Sequence, residues 1–276
     1  MSLEVKNLSL ALGKRQILEQ VSFLAEEPLT VILGKNGAGK TTLLKTIAGL
    51  YRINEGTIFI NGHKMTDLSE RKRARWISYA PQDCQAAGCQ VLDFVVMGRN
   101  PYLKFWQMPG KKEYEDSREA LKELGISHLE KRTMDALSGG ERRLCYLARA
   151  RVQEAQWMIL DEPESGLDFG RRYEFFEQLK EYLKKNKKYA IISVHDPILA
   201  DAYGDRILLM EKGQILASIH KNDRDYEGQL AGGLKRLYGP KACLIKDGDQ
   251  RAVVWRGEKD ADYSELCEGS QSGRSL

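Results

Sequence analysis

The run Gly34-Lys35-Asn36-Gly37-Ala38-Gly39-Lys40-Thr41-Thr42 carries the clearest chemistry in the chain. Its glycines let backbone N–H groups curl inward around phosphate oxygens, a conformation that a Cβ resists. Lys40 supplies a point charge for β- and γ-phosphates, and the Thr41 hydroxyl suits Mg²⁺. The run follows the strand-like Leu29-Thr30-Val31-Ile32-Leu33. It precedes Leu43-Leu44-Lys45-Thr46-Ile47-Ala48, which reads as a helix whose N-terminal dipole faces the anion. This strand–loop–helix setting predicts binding of a nucleoside triphosphate.

Further groups lie downstream. Leu137-Ser138-Gly139-Gly140-Glu141 precedes a helix from Arg142 to Arg151, and its glycines expose N–H groups at the helix start, a second anion site. Trp157-Met158-Ile159-Leu160 has the apolar text of a buried parallel strand, and Asp161-Glu162 puts two carboxylates at its end. Ser165-Gly166-Leu167-Asp168 follows, and His195 comes just after Val194. Gln82 follows the strand Ile77–Ala80. Taken singly these mean little: an acid pair after a strand is more often structural, and a lone histidine is usually a surface or core residue. Their order along the chain gives them weight.

The elements that must position these groups alternate. Residues 3–33 read as short strands, with a turn at Gly13-Lys14. Thr57-Ile58-Phe59-Ile60 is a strand closed by the hairpin signal Asn61-Gly62. From Val91 to Arg151 the pattern turns helical, with a C-cap at Gly125. A long helix is expected from Arg171 to about Lys185, then strands at Ala190–Val194 and Ile207–Met210. Such a strand core with a helical insert is an α/β layout. Beyond Lys221 the reading is a short helix at Leu234–Gly239, a hairpin of Ala242–Ile245 with Ala252–Trp255, and a disordered tail around Gly269–Ser275. Cys84, Cys89, Cys145, Cys243 and Cys267 lack framework spacing and read as reduced thiols.

In this order and at these spacings the motifs resemble the nucleotide-binding subunit of ABC transporters, over nearly all of residues 2–220. The resemblance implies an α/β fold of P-loop NTPase type. It would have a RecA-like core, an N-terminal antiparallel β subdomain and a helical signature subdomain at about 84–150, all within residues 2–235, then a small C-terminal extension over 236–276. The resemblance also implies ATP and Mg²⁺. Gly34, Lys35, Asn36, Gly37, Ala38, Gly39, Lys40, Thr41 and Thr42 would hold the nucleotide, with Ser138, Gly139, Gly140 and Asp168 completing its contacts. Thr41, Gln82 and, through water, Asp161 would hold the metal. Glu162 would polarise the attacking water, Gln82 would reach both metal and water, and His195 would bond the γ-phosphate. Two copies would pack head to tail as a homodimer, so that each signature meets the other's ATP. The chain departs from the pattern twice. Leu12 stands where an aromatic commonly stacks on adenine, and Glu164 replaces a small polar residue after Pro163.

Composition bounds the rest. A net charge of +4 does not argue for nucleic acid. Apolar runs are far shorter than the roughly 20 residues that span a bilayer. Met1-Ser2-Leu3-Glu4-Val5-Lys6 lacks an export signal, so the reading places the protein at the cytoplasmic face of the cell membrane, peripherally. The stretch Val91–Leu103 is similar to the segment that follows the glutamine in ATPases of iron–siderophore, haem and cobalamin importers. The expectation is therefore an importer ATPase for a metal chelate, serving separate permease subunits and, indirectly, a substrate-binding protein. The alternatives are a molybdate or zinc importer ATPase, and a soluble ABC ATPase of iron–sulphur assembly type.

Overall fold

The structure is a computed structural model, and it describes residues 1–82, 88–104, 106–247 and 250–256. The chain opens with β1 (Leu3–Leu12) and β2 (Arg15–Ala25), joined at Gly13-Lys14 and paired antiparallel from Leu12 beside Arg15 to Leu3 beside Ala25. After β3 (Leu29–Leu33) and α1 (Lys40–Ile47), the strands β4 (Glu55–Ile60) and β5 (His63–Lys64) return to β1. They complete an antiparallel sheet ordered β2-β1-β4-β5.

Then come α2 (Glu70–Trp76) and β6 (Ile77–Ala80), followed by the helical lobe: α3 (Val91–Val96), α4 (Lys111–Glu123) and α5 (Gly139–Val152). The chain returns through β7 (Trp157–Asp161), α6 (Phe169–Asn186), β8 (Tyr189–Val194), α7 (Pro197–Tyr203), β9 (Arg206–Glu211) and β10 (Gln214–His220). The second sheet is ordered β10-β9-β3-β8-β7-β6 and is parallel except for β10. Every residue of β3 and β7 is buried, because both faces of this sheet are covered.

Strand alternation divides the core into two layers. Val31, Leu33, Met158, Leu160, Ile192 and Val194 face the helical lobe. Ile32, Trp157, Ile159, Ile191 and Met210 face α1 and the antiparallel sheet. The parallel sheet is thus the middle layer, and its strand ends are held in place from both sides.

The last part differs from the sequence reading in extent. The expected short helix is α8, which begins earlier, at Tyr226, and runs to Tyr238, across position 235. Tyr226, Leu230, Leu234 and Leu237 form its buried stripe, but Gly232-Gly233 weaken the helical signal in the text. Gly233 has a packing reason: a Cβ there would stand 2.1 Å from Cδ1 of Leu209 on β9. The expected hairpin is present as β11 (Ala242–Asp247) and β12 (Gln250–Trp255). Cys84 and the tail at Gly269–Ser275 lie outside the described residues. No helix among the described residues is long and apolar enough to cross a membrane.

Candidate functional site

Parallel register assembles the site. β3, β7 and β8 end nearly level, with Leu33 beside Val194 and Asp161 beside Ser193. In sheets of this kind ligands bind beyond the carboxyl ends of the strands. The loop after β3, the acids at the end of β7 and the histidine after β8 therefore share one edge.

The loop 34–39 closes tightly against β9. A Cβ on Gly34 would stand 2.4 Å from the Met210 carbonyl oxygen, and Gly39 takes φ 103°, a conformation that strains any side chain. No side chain caps α1, and no acid occupies its first turn. Its leading N–H groups are left for an anion. They border a cleft of 440 Å³ lined by residues 36–42 together with Gln82, Glu162 and His195. A larger groove of 590 Å³, bounded by Asp116, Arg151 and Tyr182 of α4, α5 and α6, holds none of these groups.

Lys40 is only 4% exposed. Its Nζ donates to the Gly34 carbonyl at 2.8 Å, lies 3.3 Å from Nδ1 of His195 and pairs with Oε1 of Glu162 at 3.8 Å. Burial lowers its pKa from the usual lysine value, while Glu162, Asp161 and Glu164 oppose that shift. An ammonium can only donate, so Nδ1 of His195 accepts and the ring proton sits on Nε2. Nε2 meets Oε1 of Glu162 at 2.5 Å. The other oxygen of Glu162 accepts from Nε2 of Gln82 at 2.6 Å. Glu162 has φ 47°, in the left-handed region that costs a residue with a side chain about 1–2 kcal/mol. Backbone strain thus falls on the residue that the sequence names as the base.

Asp161 is almost wholly buried. Its Oδ1 accepts from the Thr41 hydroxyl at 3.1 Å and from the Ser193 hydroxyl at 2.7 Å, and Oδ2 accepts from Tyr79 at 3.4 Å. Thr41 and Asp161 meet here, and with the amide oxygen that Gln82 carries they offer hard oxygen donors of the kind that suits Mg²⁺. Ser193 also accepts the Glu162 N–H at 3.0 Å. The sequence reading missed Ser193 and Tyr79. A serine inside the apolar run Ala190–Val194 is a signal for the first; Tyr79 carries none.

Four expected residues stand apart. Ser138 caps α5 in a reciprocal arrangement with Glu141, and Asp168 caps α6 by accepting the Arg171 N–H at 2.9 Å. Neither they nor Gly139 and Gly140 line the cleft. Leu12 is exposed and does not line it either; Arg15 and Ile17 do.

The ABC transporter family pattern matches residues 18–165. The chain belongs to this family. It is 40% identical to an uncharacterized ABC transporter ATP-binding protein of Haemophilus influenzae, covering 77% of this chain and 81% of the relative. It is 30% identical to the ferric enterobactin transport ATP-binding protein FepC of Escherichia coli, covering 88% and 89%. Among solved structures, the ATP-binding subunit of an ABC transporter superposes with a TM-score of 0.71 at 28% identity, covering 86% of this chain and 98% of that one. The chain is therefore an ABC ATPase, which binds and hydrolyses ATP. Its homologues work as dimers with membrane permeases.

The geometry gives a physical account of Glu164, one of the two departures from the family pattern. This ABC ATPase buries the side chain; Oε1 accepts the His195 N–H at 3.4 Å, and Oε2 has no partner among the described residues. Burial, with help from the Glu162 charge, raises its carboxyl from 4.5 to about 7. Between those values the fold keeps a proton that the unfolded chain releases. Stability therefore falls as pH rises from about 4.5 to about 7, by about 3 kcal/mol in all. Glu164→Gln keeps an acceptor for the His195 N–H without the charge. Its melting temperature should exceed that of the unaltered protein at pH 8 and match it near pH 4.5; parallel melting curves at both would contradict the burial argument. Ser193→Ala takes a partner from both Asp161 and the Glu162 N–H, and urea unfolding should show a loss of about 1–3 kcal/mol.

Proposed function

We propose that this chain is the ATP-hydrolysing subunit of an importer for a metal chelate, such as an iron–siderophore, haem or cobalamin. It works at the cytoplasmic face of the membrane on separate permease subunits and, through them, with a substrate-binding protein. The observation that carries the ATPase part is the Glu162 carboxylate, held between Gln82, His195 and Lys40 at the mouth of the phosphate loop. The import and cargo parts are supported by the likeness to the ferric enterobactin relative and by the segment after Gln82. Met97 in that segment is exposed, and so are Trp106 and Met108 between it and α4, the last two by 79% and 82%. Apolar exposure of this kind suits docking on a permease.

The chain's own groups divide the work. The N–H groups of the loop and of α1 hold the phosphates, and Lys40 turns from Glu162 to the γ-phosphate. Glu162, freed of Lys40, accepts a proton from the attacking water, which the Gln82 amide orients. His195 donates its Nε2 proton in a hydrogen bond to a γ-phosphate oxygen. Thr41, Gln82 and, through water, Asp161 would hold Mg²⁺, which would supply positive charge against the phosphate oxygens. Ser138 and the start of α5 meet the nucleotide of a second copy, an arrangement that two-fold symmetry makes reciprocal.

Glu162→Gln should retain ATP binding and lose turnover by at least about a hundredfold, read by steady-state phosphate release, while an ATP-bound dimer accumulates. Ser138→Arg should leave the monomer folded and abolish that ATP-dependent dimer on sizing columns; a persistent dimer would refute the shared site. Purification from the native membrane should bring down a polytopic permease, and vesicles holding the complex should accumulate an iron chelate on ATP addition. Uptake of molybdate or zinc in its place, or no permease at all, would overturn the import reading.

A further inference from the structure

The His195 side chain is half-buried, 39% open to solvent, and its neighbours within the site are Lys40 and Glu162. In the mechanism proposed above, Lys40 turns to the γ-phosphate and Glu162 to the attacking water. The ring's place then depends on what holds its backbone and the segment that follows. Glu164 takes the His195 N–H. The His195 carbonyl accepts from the hydroxyl of Tyr238, the last residue of α8, at 3.4 Å.

The same C-terminal segment grips the far end of the histidine's own stretch. Asp201 on α7 is 6% exposed; the Tyr226 hydroxyl donates to it at 2.7 Å, and Nε of Arg251 on β12 donates to its two oxygens at 3.1 and 2.8 Å. Lys221 donates to the Asp201 and Ala202 carbonyls. Residues 195–202 are thus fastened at both ends by side chains that come after the parallel sheet is complete. α8 is a firm base for this, since Leu230, Leu234 and Leu237 have no exposed surface. The Tyr238 ring also lies 6.0 Å from the ammonium of Lys35 in the phosphate loop, within cation–π range.

We propose that Tyr238 is a positioning residue for ATP hydrolysis, by which the C-terminal segment α8–β12 holds His195 over the phosphate loop. Burial pushes its phenol up to about 12, with Asp196 adding to the shift, so the hydroxyl remains a donor over the working pH range. This inference rests on hydrolysis at the site, not on the import reading.

Tyr238→Phe tests it in the full chain, because it keeps the ring near Lys35 and removes only the hydroxyl. At saturating ATP and well below the melting temperature, kcat should fall about three- to tenfold, the worth of one neutral hydrogen bond, with KM for ATP unchanged and the melting temperature lowered by no more than that one bond accounts for. Tyr238→Leu removes the ring as well and should lower kcat while raising KM. Lys235→Ala, on the exposed side of α8, should change neither. An unchanged kcat in Tyr238→Phe overturns the proposal, and so does a loss that merely follows a lowered melting temperature. If Tyr238→Phe does not fold, Tyr226→Phe at the Asp201 end must show the same fall in kcat at constant KM; an unchanged kcat there overturns the proposal equally.

Discussion

A buried ammonium among buried carboxylates is the constraint around which this protein is arranged. Lys40 sits beside Glu162, with Asp161 and Glu164 close enough to bear on its charge. Isolated charges at this depth would be costly, and they persist only where hydrogen bonds and opposite charges satisfy them. The Gly34 carbonyl, the His195 ring, the Gln82 amide and the Ser193 hydroxyl perform that service. Of these, the His195 ring and the Gln82 amide are also groups that a triphosphate or the attacking water would engage. The cluster is held ready by the same bonds that nucleotide entry must rearrange.

The parallel sheet makes such a cluster possible. Its level strand ends bring residues from positions 34, 161 and 195 to one edge, although they are far apart along the chain. Burial of both sheet faces keeps that edge rigid, with α1 and the antiparallel sheet on one side and the helical lobe on the other. The C-terminal segment adds a brace from outside, on Asp201 and the His195 carbonyl. Ser138 and the glycines at the start of α5 have their own capping and stand away from the cleft.

Most of the site was readable because its signals are local. A phosphate loop needs its glycines and lysine at fixed spacing, and a strand followed by paired acids announces itself in a few residues. The signature and the histidine gained meaning from their order. Other features gave no such signal. Glu164 looked like an unexplained exchange, because its contact is with a backbone N–H of another loop. Ser193 and Tyr79 reach Asp161 from neighbouring strands. The full length of α8 was masked by Gly232-Gly233, which weaken helix propensity but allow close approach to Leu209.

Sequence alone determined which chemistry the chain can perform: triphosphate binding, the acids beside it, and membership of the ABC fold with its α/β core. Those properties follow from short runs whose backbone and side chains act together over a few residues. Tertiary structure decided how the charges are balanced, that Glu162 is among the residues with a left-handed backbone, and that α8 bonds the His195 carbonyl. These depend on which strands lie side by side and how deeply a side chain is buried. Pairings between residues tens of positions apart leave no periodic trace in the text of one chain.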